Sequence, residues 1–426
     1  MSSGLGVSVK SLRVFSRRGE PIVRDASFSV GEGELAIVFG RSGSGKTTIL
    51  RCLAGVAQGV FGLRVEGSVS IRGSTLSREV LKEFVSYVPQ EPWSAIASPY
   101  PITELLSFTP ATKRDVESVA RELGIEGILY ENTSCLSPGE IQRLLIAEAW
   151  LGRKRVLLVD EALSYLDERS RSVVAKLVRD LVEEGATAIV VDHVLDTWRG
   201  SYTKAILVEG GVAKEVSDDV VEEYAREFKG VVKQLESLRP RGSSEIVLEA
   251  RDTWFRYPDS REFVIEGLSL EVFRGEVLVI RGASGRGKTT LLKVLAGIYR
   301  ASRGFVKARA KPQLVPENPL LYISSPTPRE ELGGDEGLAR VAGLANRLDT
   351  PIAFLSGGER RRLAIASAYR RSPELLLLDE PSVGLDPWSA LSVAKLVSHL
   401  ARSGSAVVIA THDPYLRFLG TRVVEL

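Results

Sequence analysis

The chain has 426 residues, with 56 Lys+Arg against 54 Asp+Glu, 44% hydrophobic residues and two cysteines. That length exceeds one typical domain and suits two, and the near-balance of charge gives no electrostatic case for binding nucleic acid. Two cysteines without metal spacing exclude iron–sulfur and structural-zinc frameworks, which leaves Cys52 and Cys135 as expected unpaired, buried thiols.

No apolar run approaches the ~20 residues that cross a bilayer, and the opening MSSGLGVSVK has neither a basic nor an apolar leader region, so a soluble, cytoplasmic chain is expected. In chain order, the first informative segment is the β-type run ELAIVFG. It feeds the loop Gly40-Arg41-Ser42-Gly43-Ser44-Gly45-Lys46-Thr47-Thr48 and a helix-like ILRCLAGV. After it come YVPQEP with Gln90, then Leu136-Ser137-Pro138-Gly139-Glu140, then RVLLVDE ending in Asp160-Glu161, then AIVVDH ending in His193.

A charged amphipathic helix is expected over about 216–240, read as a solvated connector, and RPRGSS after it reads as a flexible joint. This places a first domain at 1–240 and a second at 241–426. The second repeats the series: EVLVIRG, Gly282-Ala283-Ser284-Gly285-Arg286-Gly287-Lys288-Thr289-Thr290, LVPENP with Glu317, Leu355-Ser356-Gly357-Gly358-Glu359, ELLLLDE ending in Asp379-Glu380, and VVIATH ending in His412. Ser to Glu spans 24 positions in each copy, and Glu to His 32. Lys to Ser spans 91 positions in the first copy and 68 in the second, so the second lacks a surface segment.

A Gly-rich loop between a buried strand and a helix lets backbone N–H groups approach phosphates, with the positive end of the helix dipole behind them. Lys46 and Lys288 then reach the β- and γ-phosphates, and the Thr47 and Thr289 hydroxyls are placed to ligate Mg²⁺. Asp160 and Asp379 close apolar runs of the kind that form inner parallel strands, where a carboxylate meets the metal. The adjacent Glu161 and Glu380 suit activation of an attacking water.

Together these motifs resemble the ATP-binding-cassette nucleotide-binding domain, twice over and along nearly the whole chain. The resemblance implies an α/β fold: two P-loop domains, each a RecA-like mixed-sheet core with a helical signature subdomain. It implies Mg²⁺-dependent ATP hydrolysis at two composite sites. One combines Lys46, Gln90, Glu161 and His193 with Ser356, Gly357 and Gly358; the other combines Lys288, Glu317, Glu380 and His412 with Ser137, Pro138 and Gly139.

The P-loop residues Gly40, Ser42, Gly43, Ser44, Gly45 and Thr48, and Gly282, Ser284, Gly285, Arg286, Gly287 and Thr290, would cradle nucleotide. Phe15 and Tyr257, each 31 positions before its P-loop Lys, would stack on adenine. Gln90 would touch Mg²⁺ or water and relay to a transport partner, with Glu317 in the equivalent place. His193 and His412 would sense the γ-phosphate. Pro138, which lacks an N–H, and Glu317, which adds charge, point to a slower second site.

The partner suggested by EPWSAIASPYPITELL and ENPLLYISSPTPREEL is an integral membrane permease, with one fused chain per transporter at the inner face of the cell membrane. No nucleic acid is expected. The second segment resembles the cobalt/energy-coupling-factor group of importers; a soluble tandem ATPase acting on ribosomes or translation factors is the alternative.

Overall fold

The computed structural model describes residues 4–90, 92–163, 166, 168–258, 260, 262–282, 285–411 and 416–426. The chain divides into two compact units, Met1–Arg226 and Glu227–Leu426. Each is an α/β unit with P-loop topology.

In the first, the strands Lys204–Glu209, Leu35–Phe39, Thr187–Val191, Val156–Asp160 and Val85–Val88 lie side by side in parallel. The sequences LAIVF, VLLVD and TAIVV do not alternate because every residue in them is buried, as befits inner strands covered on both faces. An antiparallel wing of Leu5–Phe15, Pro21–Gly31 and Arg64–Ile71 joins the same sheet through Val212–Val216, which runs parallel to Pro21–Gly31 and antiparallel to Lys204–Glu209.

In the second unit the described strands form two sheets. One is parallel, in the order Gln313–Val315, Leu375–Asp379, Ala406–Ala410, Val277–Arg281, Arg422–Glu425; the other is antiparallel, with Ile246–Phe255 between Ile265–Phe273 and Arg303–Ala308. The shorter interval in the second unit has two main sources: Ala308 and Gln313 are nearly adjacent where the first unit inserts Ser74–Thr75 and the helix Arg78–Phe84 between Ile71 and Val85, and the helices Pro328–Glu331 and Glu336–Val341 are shorter than Pro101–Phe108 and Lys113–Glu122.

One irregularity fixes the equivalence of the wings. Ser11 and Asp252 sit at bulges with φ of 48° and 41°. Gly67 and Gly304 pass so close that a Cβ would stand 2.4 Å from Ser11 O and 2.0 Å from Asp252 O, so only glycine fits.

The signature subdomains are the helices Pro101–Phe108, Lys113–Glu122 and Pro138–Gly152 in the first unit and Pro328–Glu331, Glu336–Val341 and Gly357–Arg371 in the second. Two sequence expectations are corrected. The helix Asp218–Ser237 is not a solvated connector: Val221 and Tyr224 are buried, with the Tyr224 ring 5.0 Å edge-on to Phe39, while Val231 and Leu235 belong to the second unit's core. Of the two thiols only Cys52 is buried; Cys135 is exposed.

Candidate functional site

Both P-loops turn from the end of an inner strand into a helix, Lys46–Leu53 or Lys288–Leu295. The turn needs glycine: Gly40, Gly43 and Gly45 have φ of 141°, 77° and 109°, and Gly285 and Gly287 both 83°. A Cβ on Gly40 would lie 2.1 Å from Val208 O. Lys46 folds back over the loop, donating to Gly40 O at 2.9 Å and Arg41 O at 3.2 Å, and Lys288 donates to Gly282 O at 2.8 Å.

The predicted acidic pairs are beside them. Thr47 Oγ1 donates to Asp160 at 3.0 Å, and Thr289 Oγ1 to Asp379 at 2.8 Å. Lys46 Nζ stands 3.5 Å from the Glu161 carboxylate, and Lys288 Nζ 3.6 Å from that of Glu380. Sequence positions more than a hundred residues apart in the first unit thus share one cluster.

Glu161 and Glu380 both adopt positive φ, 50° and 45°, which is strained for a residue with a Cβ. Their amides are tied to the neighbouring strand, to Val191 O at 3.0 Å and Ala410 O at 2.8 Å. With the backbone in this conformation each carboxylate stands beside its P-loop lysine.

Burial, then the charge of Glu161, pushes the Asp160 carboxyl up to about 7; burial pushes Asp379 up to about 6 despite the Thr289 bond. A divalent cation at such carboxylates reverses that tendency, because its charge favours the ionised form. The residues fit nucleotide and metal in another respect. The buried Ser44 Oγ and Asp379 Oδ1 have no hydrogen-bond partner among the described residues, and groups of this kind ordinarily have one.

Gln90 Nε2 donates to Glu161 Oε2 at 2.7 Å. His193 Nε2 approaches Glu161 Oε1 to 3.0 Å without hydrogen-bond alignment, so neither ring nitrogen has a hydrogen-bond partner among the described residues. In the second unit His412 and Ser284 lie outside the described residues.

The signature segments start helices. Ser137 accepts from the Glu140 amide at 3.4 Å while Glu140 accepts from the Ser137 amide at 2.8 Å; Ser356 and Glu359 do the same at 3.2 Å and 2.7 Å. These are capping boxes, and the S-x-x-E pattern in LSPGE and LSGGE carried that signal. Pro138 is the first helical residue, a place where its missing N–H costs the helix nothing.

Phe15 and Tyr257 do not stand at equivalent places. Counted from the bulges, Tyr257 corresponds to Ser16 and Phe15 to Arg256, so equal distance to the P-loop is not equal place. Phe15 ends the strand Leu5–Phe15 with the Arg64 guanidinium 4.3 Å from its ring centroid. Tyr257 is 39% exposed and its hydroxyl is 2.9 Å from Thr290 Oγ1 in the P-loop helix.

Several contributors were not legible from motifs. Tyr87 donates to Asp160 Oδ2 at 3.1 Å, and Thr411 donates to Glu380 Oε2 at 2.8 Å. Asp192, Thr411's counterpart, instead accepts from the amides of His193 and Val194 and from Trp198 Nε1. Buried Glu104 holds the amides of Ala97 and Ser98, and buried Glu331 those of Ser324 and Ser325. Each braces the loop that follows its Q-loop position.

Two strand–P-loop–helix units, each with a metal-binding type of Thr–Asp pair, an adjacent strained Glu and a signature helix, define a P-loop ATPase of the cassette type. The chain belongs to the ABC transporter family, which residues 23–164 and 265–383 match. It is an ATP-binding, ATP-hydrolysing enzyme with two cassettes.

A Treponema denticola protein described as an ABC transporter ATP-binding protein is 26% identical over 92% of this chain and 88% of its own length. One from Sulfurisphaera tokodaii is 27% identical over 99% and 96%. Among solved structures, a model of ribosome-bound archaeal Pelota and ABCE1 gives a TM-score of 0.70 at 26% identity, covering 97% of this chain and 76% of that one. The RNase-L Inhibitor gives 0.66 at 24% identity, covering 97% and 87%, a likeness of fold alone.

Proposed function

We propose that this chain is the energy-supplying subunit of a transporter, hydrolysing ATP to drive a separate integral membrane permease from the inner face of the membrane. The observation that carries this reading is the pair of loops braced by Glu104 and Glu331. They sit beside the Q-loop position and hold out Trp93, Tyr100, Leu320 and Leu321, which are 40%, 44%, 44% and 77% exposed. Apolar side chains on a fixed loop suit a groove that receives a partner's helix. Among the described residues no helix is long and apolar enough to cross a membrane, so the channel would come from other chains. Within this reading we assign the permease to the vitamin and metal-ion importers of the energy-coupling type, on the resemblance of ENPLLYISSPTPREEL to that group.

In the working enzyme each ATP lies on one P-loop and is completed by the signature segment of the other cassette. Thr47 and Asp160, with Gln90, would hold one Mg²⁺, and Thr289 and Asp379 the other; when bound, the ion would supply neutralisation of phosphate charge. Glu161 and Glu380 orient and deprotonate the attacking water, and His193 and His412 report on the γ-phosphate. Lys46 and Lys288 exchange the carbonyls they now hold for phosphate oxygens.

A second reading has its own support. The solved relative of 0.70 TM-score is a ribosome-bound assembly with Pelota, so a soluble ATPase that acts on ribosomes or translation factors fits the same cassettes, and contact with nucleic acid would follow. Purification of the tagged chain from detergent-solubilised membranes of its native host, with mass spectrometry of stoichiometric companions, separates the two. A polytopic membrane protein supports transport. Ribosomal proteins with an empty membrane fraction replace it with the second reading.

A further inference from the structure

The two cassettes fasten the end of the catalytic strand by different means. In the second, Arg361 on the helix Gly357–Arg371 is only 8% exposed. Its guanidinium donates to three main-chain carbonyls: Glu317 O at 3.1 Å, Glu380 O at 2.7 Å and Val383 O at 2.7 Å. One carbonyl belongs to the Q-loop position and two to the turn that holds Glu380 at φ 45°. With the Glu380 amide on Ala410 O and its carboxylate taking the Thr411 hydroxyl, the residue is held at both ends of its backbone and at its side chain.

The first cassette has Gln142 at this helical place, five residues after the signature Ser as Arg361 is. Gln142 is fully buried, its Nε2 is 3.5 Å from Pro89 O, and its Oε1 has no partner among the described residues. One amide group cannot span what a five-donor planar fork spans. The first cassette instead ties side chain to side chain, Gln90 to Glu161 and Tyr87 to Asp160. Strand register places Leu314 and Glu317 where those two donors stand.

We propose that Arg361 is a positioning residue of the second cassette. Through Glu380 O and Val383 O it fixes the left-handed turn that aims the Glu380 carboxylate, and through Glu317 O it joins that turn to the Q-loop, so that loop and catalytic turn move as one body. In the first cassette the corresponding link is the Gln90–Glu161 side-chain bond, which a partner can make and break. The proposal rests on the reading of Glu380 as the group that activates water.

The test uses the full chain carrying Glu161→Gln, so that the turnover measured is the second cassette's. Arg361→Gln, which installs the first cassette's residue, is expected to lower kcat about tenfold while KM for ATP stays within about twofold. It should also speed amide hydrogen exchange at 380–383 and 316–318. Arg361→Lys keeps the charge without the fork and should show the same loss. Unchanged kcat and exchange in Arg361→Gln overturn the proposal, as does full rescue by Lys. If Arg361→Gln does not fold, Gln142→Arg in an otherwise unaltered chain decides: slower exchange at 161–163 supports the clamp, and unchanged exchange overturns it. Turnover persisting in the Glu161→Gln, Glu380→Gln chain would overturn the water-activation reading instead, and the exchange data would then judge the clamp alone.

Discussion

Gln90 donates a 2.7 Å hydrogen bond to the Glu161 carboxylate, so the side chain expected to answer a partner is bonded to the one expected to activate water. Replacing it by the second cassette's residue, Gln90→Glu, sets a second carboxylate against Glu161 in a cluster where Glu161 is only 4% exposed. Two carboxyls at that distance share a proton, and a protonated Glu161 accepts none from water. In a Glu380→Gln background, steady-state ATP hydrolysis is expected to fall about tenfold or more. Turnover equal to that of the parent would show that the Gln90–Glu161 bond has no part in water activation.

The sites are also expected to differ between cassettes. Glu161 has Gln90, Lys46 and His193 around its carboxylate; Glu380 has Lys288 and the Thr411 hydroxyl, with Glu317 at the Q-loop position, and the composite arrangement proposed above would complete its site with Pro138. Single-turnover hydrolysis should therefore lose more rate in Glu161→Gln than in Glu380→Gln, with either variant down about a hundredfold at its own site. Equal losses would mean that the departures at Pro138 and Glu317 are tolerated.

Much of the site was legible because it is repeated. Each P-loop recurs as a block, the signature Ser, the catalytic Glu and the strand-end His recur at fixed offsets from one another, and four apolar residues before each Asp announce an inner strand, so the cluster around each P-loop could be foreseen. What was not legible depends on register. A one-residue difference in the turn after Phe15 leaves the spacing to Lys46 intact while moving the aromatic to a different place, and only the bulges at Ser11 and Asp252 reveal it. Tyr87, Thr411 and Arg361 act from strands and helices whose neighbours are set by the sheet order, and no local pattern marks them. The buried Glu104 and Glu331 read in sequence as ordinary first-turn acids, and their grip on the preceding loop needs three dimensions.

Glu331 gives a pH dependence with a definite sign. Burial by itself would raise its carboxyl, but the Ser367 hydroxyl and the Ser324 and Ser325 amides outweigh burial and hold the pKa at about 2, below the ordinary 4.5. The unfolded chain takes up that proton more readily than the folded one. The stabilisation is therefore complete above pH 4.5 and drains away as pH falls toward 2. Glu331→Gln should cost about 2 kcal/mol near neutral pH, and the gap in unfolding temperature from the unaltered protein should narrow as the solution is acidified below pH 4.5. A gap independent of pH would show that the carboxylate charge is not what holds Ser324 and Ser325.

Pro138 separates helix stability from ligand binding. As the first residue of Pro138–Gly152, it is at a position that suits proline, so Pro138→Gly should destabilise the protein by no more than about 1 kcal/mol. The same change restores an N–H at the signature. In a Glu161→Gln background it should raise turnover at the second composite site by about threefold or more, since one donor to a phosphate-like oxyanion can be worth considerably more than that. Unchanged turnover would assign the slower site to Glu317 alone.

The aromatic positions offer a direct check on this difference in register. Tyr257 is half-exposed beside the second P-loop, hydroxyl to Thr290, with the Phe255 and Tyr299 rings 5.3 Å and 5.9 Å away to fix its plane. Removing a base-stacking aromatic costs about 1 kcal/mol or more, so Tyr257→Ala, measured with Glu161→Gln, should raise KM for ATP about fivefold with little change in kcat. Phe15 has the Arg64 guanidinium against its ring and stands one residue before the equivalent place. Phe15→Ala, measured with Glu380→Gln, should leave KM within about twofold, because what it removes is a cation–π contact worth about 1 kcal/mol to folding and not to nucleotide. A fivefold rise in both variants would return Phe15 to the nucleotide and set aside the alignment drawn from Ser11 and Asp252.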